Sequence, residues 1–243
     1  MTNKKETIII ILAAGKGTRM NSEIPKVLHE INNKSLIKYV VESAQSINPT
    51  KIIAIVGFKK ELVKNNLKNS SLQFVEQKKQ LGTGHAIKMC LPALKNFNGN
   101  VLILSGDVPL IKSNTLNAFI NSHNKNNSLA SLITTDLENP KGYGRIIKKD
   151  NVFLKIKEHK DATEEEKKIN EINSGIYIFN SKTLNEKIPL IKNKNAQKEF
   201  YLTDIFNFIN NNKISTYKTF DSSEISGINT IQQLENLEEE LNK

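Results

Sequence analysis

Four consecutive isoleucines, Ile8 to Ile11, run into Leu12-Ala13-Ala14 and then into Gly15-Lys16-Gly17. A strand that alternates apolar with polar residues has one wet face. A strand apolar at every position has none, and must lie in a sheet covered on both sides. Comparable runs recur at Lys51–Val56, Leu72–Val75 and Val101–Ser105. Between them lie helical patterns. Ser35 is placed to cap a helix to about Ser46, with Leu36, Ile37, Val40, Val41 and Ala44 on one face. Lys59–Leu67 reads as a short amphipathic helix, and Thr83 is placed to cap a helix to Leu91. Buried strands alternating with helices imply an α/β fold with a mixed, mostly parallel sheet flanked by helices. Such sheets bind ligands at the carboxyl ends of their strands. That rule selects three loops, 12–20, 76–84 and 105–109.

The second half is less regular. Thr115–Ser122 reads as helix, Leu129–Asp136 as strand and Pro140–Arg145 as a turn. Ile146-Ile147, Val152–Ile156 and Ile172–Phe179 read as strands, and Asp161–Lys168 as a solvated helix. Leu202–Ile209 reads as helix, Ile214–Phe220 as strand and Thr230–Leu241 as a closing helix. No repeat, Pro-rich linker or low-complexity tail divides the chain, so 1–243 is expected to be a single domain. No apolar run reaches membrane-spanning length. The apolar run behind the polar start is too short for a signal peptide and reads as a strand. Cys90 is the single cysteine, so no internal disulfide forms. Its place in a helical pattern, with no His or Asp partner suggested nearby, favours a core thiol over a nucleophile. These features together predict a cytoplasmic protein. The net charge of +10 comes from lysines spread along the chain, mixed with Glu and Asn. That is a poor footprint for a nucleic-acid backbone and suits a small polyanionic substrate.

The first loop carries the chemistry. Glycines at 15 and 17 permit close backbone approach, and Arg19 and Lys26 add a fork and a point charge. Together they suit a phosphate, although a tight strand-to-helix turn with incidental cations has the same letters. The spacing is not the G-x-x-x-x-G-K-[ST] of an NTP hydrolase loop. Nor is it the G-x-G-x-x-G of a dinucleotide fold, because the third glycine is missing. Gln77 and Gly82-Thr83 fall in the second loop, where an amide and backbone groups can read a pyrimidine edge. Asp107 ends the fourth strand beside Gly106. Alone it reads either as a turn cap or as a Mg2+ ligand, since Mg2+ takes oxygen donors and few protein ligands. The histidines at 29, 85, 123 and 159 show no metal-binding spacing.

Leu12–Met20 with Pro25-Lys26 resembles the signature of the sugar-nucleotide pyrophosphorylases. Within them it is most similar to the bacterial N-acetylglucosamine-1-phosphate uridyltransferases. The resemblance continues in order through Gln77, Gln80–Ala86, Gly106–Leu110, Gly142–Ile146, Glu158–Ala162, Glu171–Gly175, Glu199–Asp204 and Gly227–Asn229. It implies a Rossmann-like nucleotide-diphospho-sugar transferase fold. It implies nucleotide binding by Leu12, Ala13, Ala14, Gly15, Lys26, Gln77, Gly82, Thr83, Ser105 and Gly106. Sugar-phosphate binding is implied for Gly144, Glu158, Asn173, Tyr201 and Thr203, and Mg2+ binding for Asp107 with Asn229. Arg19, Lys26 and Asp107 take the catalytic roles. The substrates implied are UTP and N-acetylglucosamine 1-phosphate, the products UDP-N-acetylglucosamine and pyrophosphate, and the destination a cell-wall precursor.

A different sugar or nucleotide, or a non-catalytic nucleotide-binding module, are the competing readings. The second is disfavoured because Arg19, Lys26, Asp107 and Asn229 occur together. Ser105 stands where many members carry an aromatic, and Phe200 where a tyrosine is common. The bifunctional members continue into a hexapeptide-repeat β-helix that performs acetyl transfer. No such period occurs before Lys243, so the expectation is a monomer without that activity, a separate acetyltransferase being a possible partner.

Overall fold

The computed structural model describes residues 5–242. Residues 1–4, the polar start on which the signal-peptide reading touches, and residue 243 lie outside them. The strands are β1 (Thr7–Ala13), β2 (Glu30–Ile31), β3 (Lys34–Ser35), β4 (Lys51–Val56), β5 (Gln73–Glu76), β6 (Asn100–Ser105), β7 (Ala130–Asp136), β8 (Arg145–Lys149), β9 (Val152–Lys157), β10 (Glu171–Asn180) and β11 (Ile214–Lys218). The helices are α1 (Leu36–Gln45), α2 (Lys60–Asn66), α3 (Thr83–Cys90), α4 (Ser113–Lys125), α5 (Glu164–Lys167), α6 (Ser181–Lys187) and α7 (Ile231–Leu241).

The main sheet runs β11-β7-β10-β6-β1-β4-β5, with β8 and β9 attached to one end of β10. β1 pairs in parallel with β4 on one edge and β6 on the other. Ile8 and Ile10 enter the core on one face, against Ala86 and Ile87 of α3 and against Leu202 and Phe206. Ile9 and Ile11 enter the opposite core, with Ile37, Val40 and Val41 of α1 and Phe119 of α4. All four isoleucines are buried. Each contributes roughly 1.5–3 kcal/mol by leaving water, which makes β1 the spine of the molecule.

β10 runs antiparallel between β6 and β7, so the sheet is mixed. The register of β10 against β7 shifts through a bulge. β10 passes from Asn173 to Tyr177 while β7 advances only from Thr134 to Leu132. Gly175, at φ +80°, supplies the left-handed backbone that the bulge needs. Before the bulge, β10 pairs through Ile172 with Arg145 of β8.

A third, smaller apolar cluster joins Met20, Ile31 and Leu36 to Ile228 and Leu237. It docks α7 and the turn before it onto the first glycine loop. The β2–β3 hairpin, which supplies Ile31, turns through Asn32 and Asn33, both at positive φ. Two such central residues are characteristic of the tight hairpin turns whose twist matches the strands. Leu202–Phe208 is a 3-10 helix rather than an α-helix. Within Asp161–Lys168 only α5 is α-helical, opened by a Thr163–Glu166 capping box.

Candidate active site

The parallel strands β1, β4, β5 and β6 all end on one edge of the sheet, and backbone hydrogen bonds lace their loops together. Gly106 N donates to Leu12 O at 3.0 Å, Phe58 N to Ala14 O at 3.0 Å, and Gln77 N to Val56 O at 2.8 Å. The three loops selected from the sequence are therefore neighbours. Leu12 and Ala13 finish β1, and Ala14 and Gly15 carry the chain off the sheet. A side chain at Gly15 would meet nothing within 4 Å, so its backbone borders open space. Gly17 differs: it adopts φ +68°, and a Cβ there would lie 2.5 Å from Lys26 Cβ. This close approach seats Lys26 against the loop.

Lys26 forms an ion pair with Asp107 Oδ2 and also donates to Asn229 Oδ1 at 3.0 Å. Arg19 Nη2 donates to the same Oδ1 at 2.7 Å. Four residues from three widely separated parts of the chain thus meet. The Asn229 amide is oriented by its other end, where Nδ2 donates to Gly227 O at 3.1 Å. Ile228 N donates to Asp107 O at 2.9 Å and ties the 227–229 turn to the end of β6. Gln233 completes the support. Its Oε1 accepts from Asn229 N at 2.7 Å and Thr230 N at 3.2 Å, while Thr230 Oγ1 accepts from Gln233 N. Sequence reasoning assigned no role to Gln233, though Thr230-x-x-Gln233 is a capping-box pattern.

The residues present fit a divalent cation. Asp107 Oδ2 and Asn229 Oδ1 converge on one cationic atom, Lys26 Nζ, and both are the hard oxygen donors that Mg2+ prefers.

On the second loop, Gln77 is 3% exposed. Its Nε2 donates to Gly82 O at 3.0 Å and lies 3.0 Å from His85 Nδ1. Burial and the charge of Lys88 lower the His85 pKa, which favours the neutral ring as acceptor. Thr83 does not cap α3. The cap position is Gly82, and Thr83 Oγ1 accepts instead from Leu202 N at 3.0 Å. Ser105 ends β6, and a Cβ on Gly175 would stand 3.2 Å from its Oγ.

The third group gathers around β8, β9 and β10. A Cβ on Gly144 would lie 3.5 Å from Glu158 Oε2 and 3.6 Å from Asn173 Cβ. Asn173 N donates to Gly144 O at 2.9 Å, and Asn173 Nδ2 donates to Tyr177 Oη at 2.7 Å. Thr203 Oγ1 donates to Glu158 Oε1 at 2.8 Å. Burial raises the Glu158 pKa, opposed by the Thr203 bond and reinforced by Asp204 and Asp161. The Tyr201 hydroxyl is buried, with no hydrogen bond of regular geometry among the described residues, and burial and the nearby Asp161 raise its pKa.

Two neighbours in the Gly142–Arg145 turn had no assigned role. The Tyr143 hydroxyl sits against the Gly227 backbone and the Ser226 side chain, and burial raises its pKa. Arg145, 1% exposed, donates to Tyr143 O and to Lys167 O. The turn therefore joins the sugar-side group to the Asp107–Asn229 side.

A cationic cluster at the carboxyl ends of the parallel strands is the arrangement of a ligand-binding α/β fold. The nucleotidyl transferase family profile matches residues 8–225. The chain belongs to the nucleotidyl transferase family. It is 45% identical over 228 residues to "Bifunctional protein GlmU" of Gloeothece citriformis, covering 93% of this chain and 50% of that one. It is 46% identical over 232 residues to the protein of the same name from Alkaliphilus oremlandii, covering 94% and 50%. The chain thus spans about half the length of these curated relatives. Among solved structures, UDP-glucose pyrophosphorylase complexed with UDP-glucose superposes with a TM-score of 0.76 at 21% identity, covering 98% of each chain; this likeness establishes the fold alone. Among the described residues no helix is long and apolar enough to cross a membrane.

Proposed function

We propose that this chain joins UTP to N-acetylglucosamine 1-phosphate, forming UDP-N-acetylglucosamine and releasing pyrophosphate. The observation that carries the reading is the meeting of Arg19 and Lys26 with Asp107 and Asn229 at one point. A phosphate oxygen of the sugar phosphate attacks the α-phosphorus of UTP, and the bond to the β-phosphate oxygen breaks. The nucleophile is already an anion, so the chemistry needs no general base. The work is positioning and charge neutralisation.

In this reading Arg19 neutralises the departing pyrophosphate and Lys26 the α-phosphate. Asp107 and Asn229 hold Mg2+, which when bound offsets phosphate charge. Gly15 and Gly17 bring backbone to the nucleotide, with Leu12, Ala13, Ala14, Ser105 and Gly106 lining its path. Gln77, Gly82 and Thr83 face the base. Glu158, Asn173, Tyr201 and Thr203 surround the sugar, while Gly144 leaves it room.

The test is pyrophosphate release by purified protein across UTP, dTTP, ATP and several sugar 1-phosphates, with and without Mg2+. The expected optimum is UTP with N-acetylglucosamine 1-phosphate and Mg2+. No pyrophosphate from that pair would overturn the assignment. Arg19→Ala should lower turnover by roughly 10²–10³, the usual cost of removing one charge-stabilising group. Its UTP affinity should fall far less. Undiminished turnover in Arg19→Ala would remove Arg19 from the mechanism.

A further inference from the structure

We infer that the Thr83 hydroxyl is a positioning group for the sugar side of the site, although Thr83 belongs to the loop that faces the base. The inference rests on the proposed function and adds to it a mechanical link between the two substrate subsites.

The segment carrying Tyr201 is held to the 81–84 loop on both sides of that residue. Phe200 N donates to Leu81 O at 2.8 Å, and Gly84 N donates to Phe200 O at 2.7 Å. Leu202 N donates to Thr83 Oγ1 at 3.0 Å. Contact between the two backbones is close. A Cβ on Gly82 would lie 2.6 Å from Phe200 O, and one on Gly84 3.0 Å from the same oxygen.

Thr83 opens α3 without capping it, which leaves its hydroxyl oxygen turned to Leu202. Among the described residues the buried Tyr201 hydroxyl makes no hydrogen bond of regular geometry; burial and the carboxylate of Asp161 beside it raise its pKa without a regular bond to hold the ring. Its position therefore depends on the backbone at Phe200 and Leu202. The next residue, Thr203, donates to Glu158 Oε1 at 2.8 Å. A continuous path leads from Thr83 through Leu202 to Tyr201, Thr203 and Glu158. Of its links to the 81–84 loop, only the Thr83 bond uses a side chain, so only that one can be removed by mutation without altering the backbone.

The experiment compares Thr83→Val, Thr83→Ala and Thr83→Ser. Valine keeps the shape and loses the acceptor; alanine loses both without adding bulk; serine keeps the acceptor. Two quantities are measured: KM for N-acetylglucosamine 1-phosphate at saturating UTP, and the Kd for UTP alone by calorimetry. Losing one partly buried hydrogen bond predicts a KM for the sugar phosphate raised ~5–10-fold in the valine and alanine variants. The serine variant should remain near the unsubstituted protein, and in the valine and alanine variants the sugar-phosphate KM should rise by a larger factor than the UTP Kd, whatever Thr83 itself contributes to the base. Melting curves identify any variant that fails to fold, and alanine then replaces valine as the test. The inference is overturned if valine and alanine weaken UTP binding and spare the sugar-phosphate KM. It is also overturned if serine does not restore that KM. Failure of the proposed function is distinguishable, because the unsubstituted protein would then release no pyrophosphate from this substrate pair.

Discussion

His123, 1% exposed, packs between α4 and β7 with Nδ1 2.7 Å from Ser131 Oγ. Its Nε2 is buried and has no hydrogen-bond partner among the described residues. Burial, aided by the charge of Lys5, lowers its pKa from 6.5 to about 4. The unfolded chain binds the proton more readily, so folding stability is complete above pH 6.5 and declines as pH falls toward 4. The loss attributable to this residue reaches about 3 kcal/mol at the acid end. Urea unfolding between pH 8 and 4 should show this decline, and His123→Gln should flatten it in the window from 6.5 to 4. An unchanged slope in the variant would exclude His123 as the source.

At the same scale, legibility was uneven. Arg19, Lys26 and Asp107 could be singled out because charged residues beside glycines at strand ends are chemically conspicuous. Asn229 alone looks like any loop residue. Only the resemblance promoted it, and only the fold brings it to Arg19 and Lys26. Gln233 and Tyr143 went unassigned because their roles depend on contacts that no local spacing announces.

Among the elements, the 81–84 loop has little tolerance for a side chain at Gly82. Gly82 adopts φ +108° and ψ 170°, a region essentially reserved for glycine. Its backbone also abuts Phe200. Gly82→Ala is therefore expected to destabilise the fold by roughly 2–4 kcal/mol, combining backbone strain with a steric clash. It should also raise KM for both substrates, because the clash parts the base loop from the sugar segment. Urea unfolding and steady-state kinetics check this; wild-type values in both would contradict it.

The early strands were readable because burial on two faces leaves an uninterrupted apolar run. α1 was readable because Ile37, Val40, Val41 and Ala44 recur at helical spacing. Thr83 was misplaced as a cap because a threonine ahead of a helix ordinarily serves itself, whereas this one serves Leu202. The bulge in β10 was not legible. Its extra residues have strand-like neighbours, and only pairing with β7 reveals the offset.

For the whole molecule, the +10 charge acts as a field. A dispersed cationic surface draws polyanions from solution and loses reach as salt shortens the screening length from about 30 Å at 0.01 M to about 8 Å at 0.15 M. With the proposed substrates, kcat/KM should fall several-fold over that range while kcat changes little, an order-of-magnitude expectation from steering. A salt-independent kcat/KM, measured at constant free Mg2+, would show that encounter is not steered.

A mixed, mostly parallel sheet was expected; that β10 is the strand running antiparallel within it was not. Strand direction depends on which way the chain returns, and here that follows from long-range pairing with β6 and β7.

The position of β1 also bears on how the chain folds. Ile8 faces Lys51 across one edge and Val101 across the other. Neither edge can be filled by an adjacent hairpin, so β1 must wait for distant chain to close on it. Contacts this non-local slow folding and leave apolar strands exposed in the meantime. The glycine loop at the end of β1 reaches its working shape only after both neighbours have docked. Partly folded forms should therefore lack the nucleotide site altogether, so that ligand binding reports completion of the sheet.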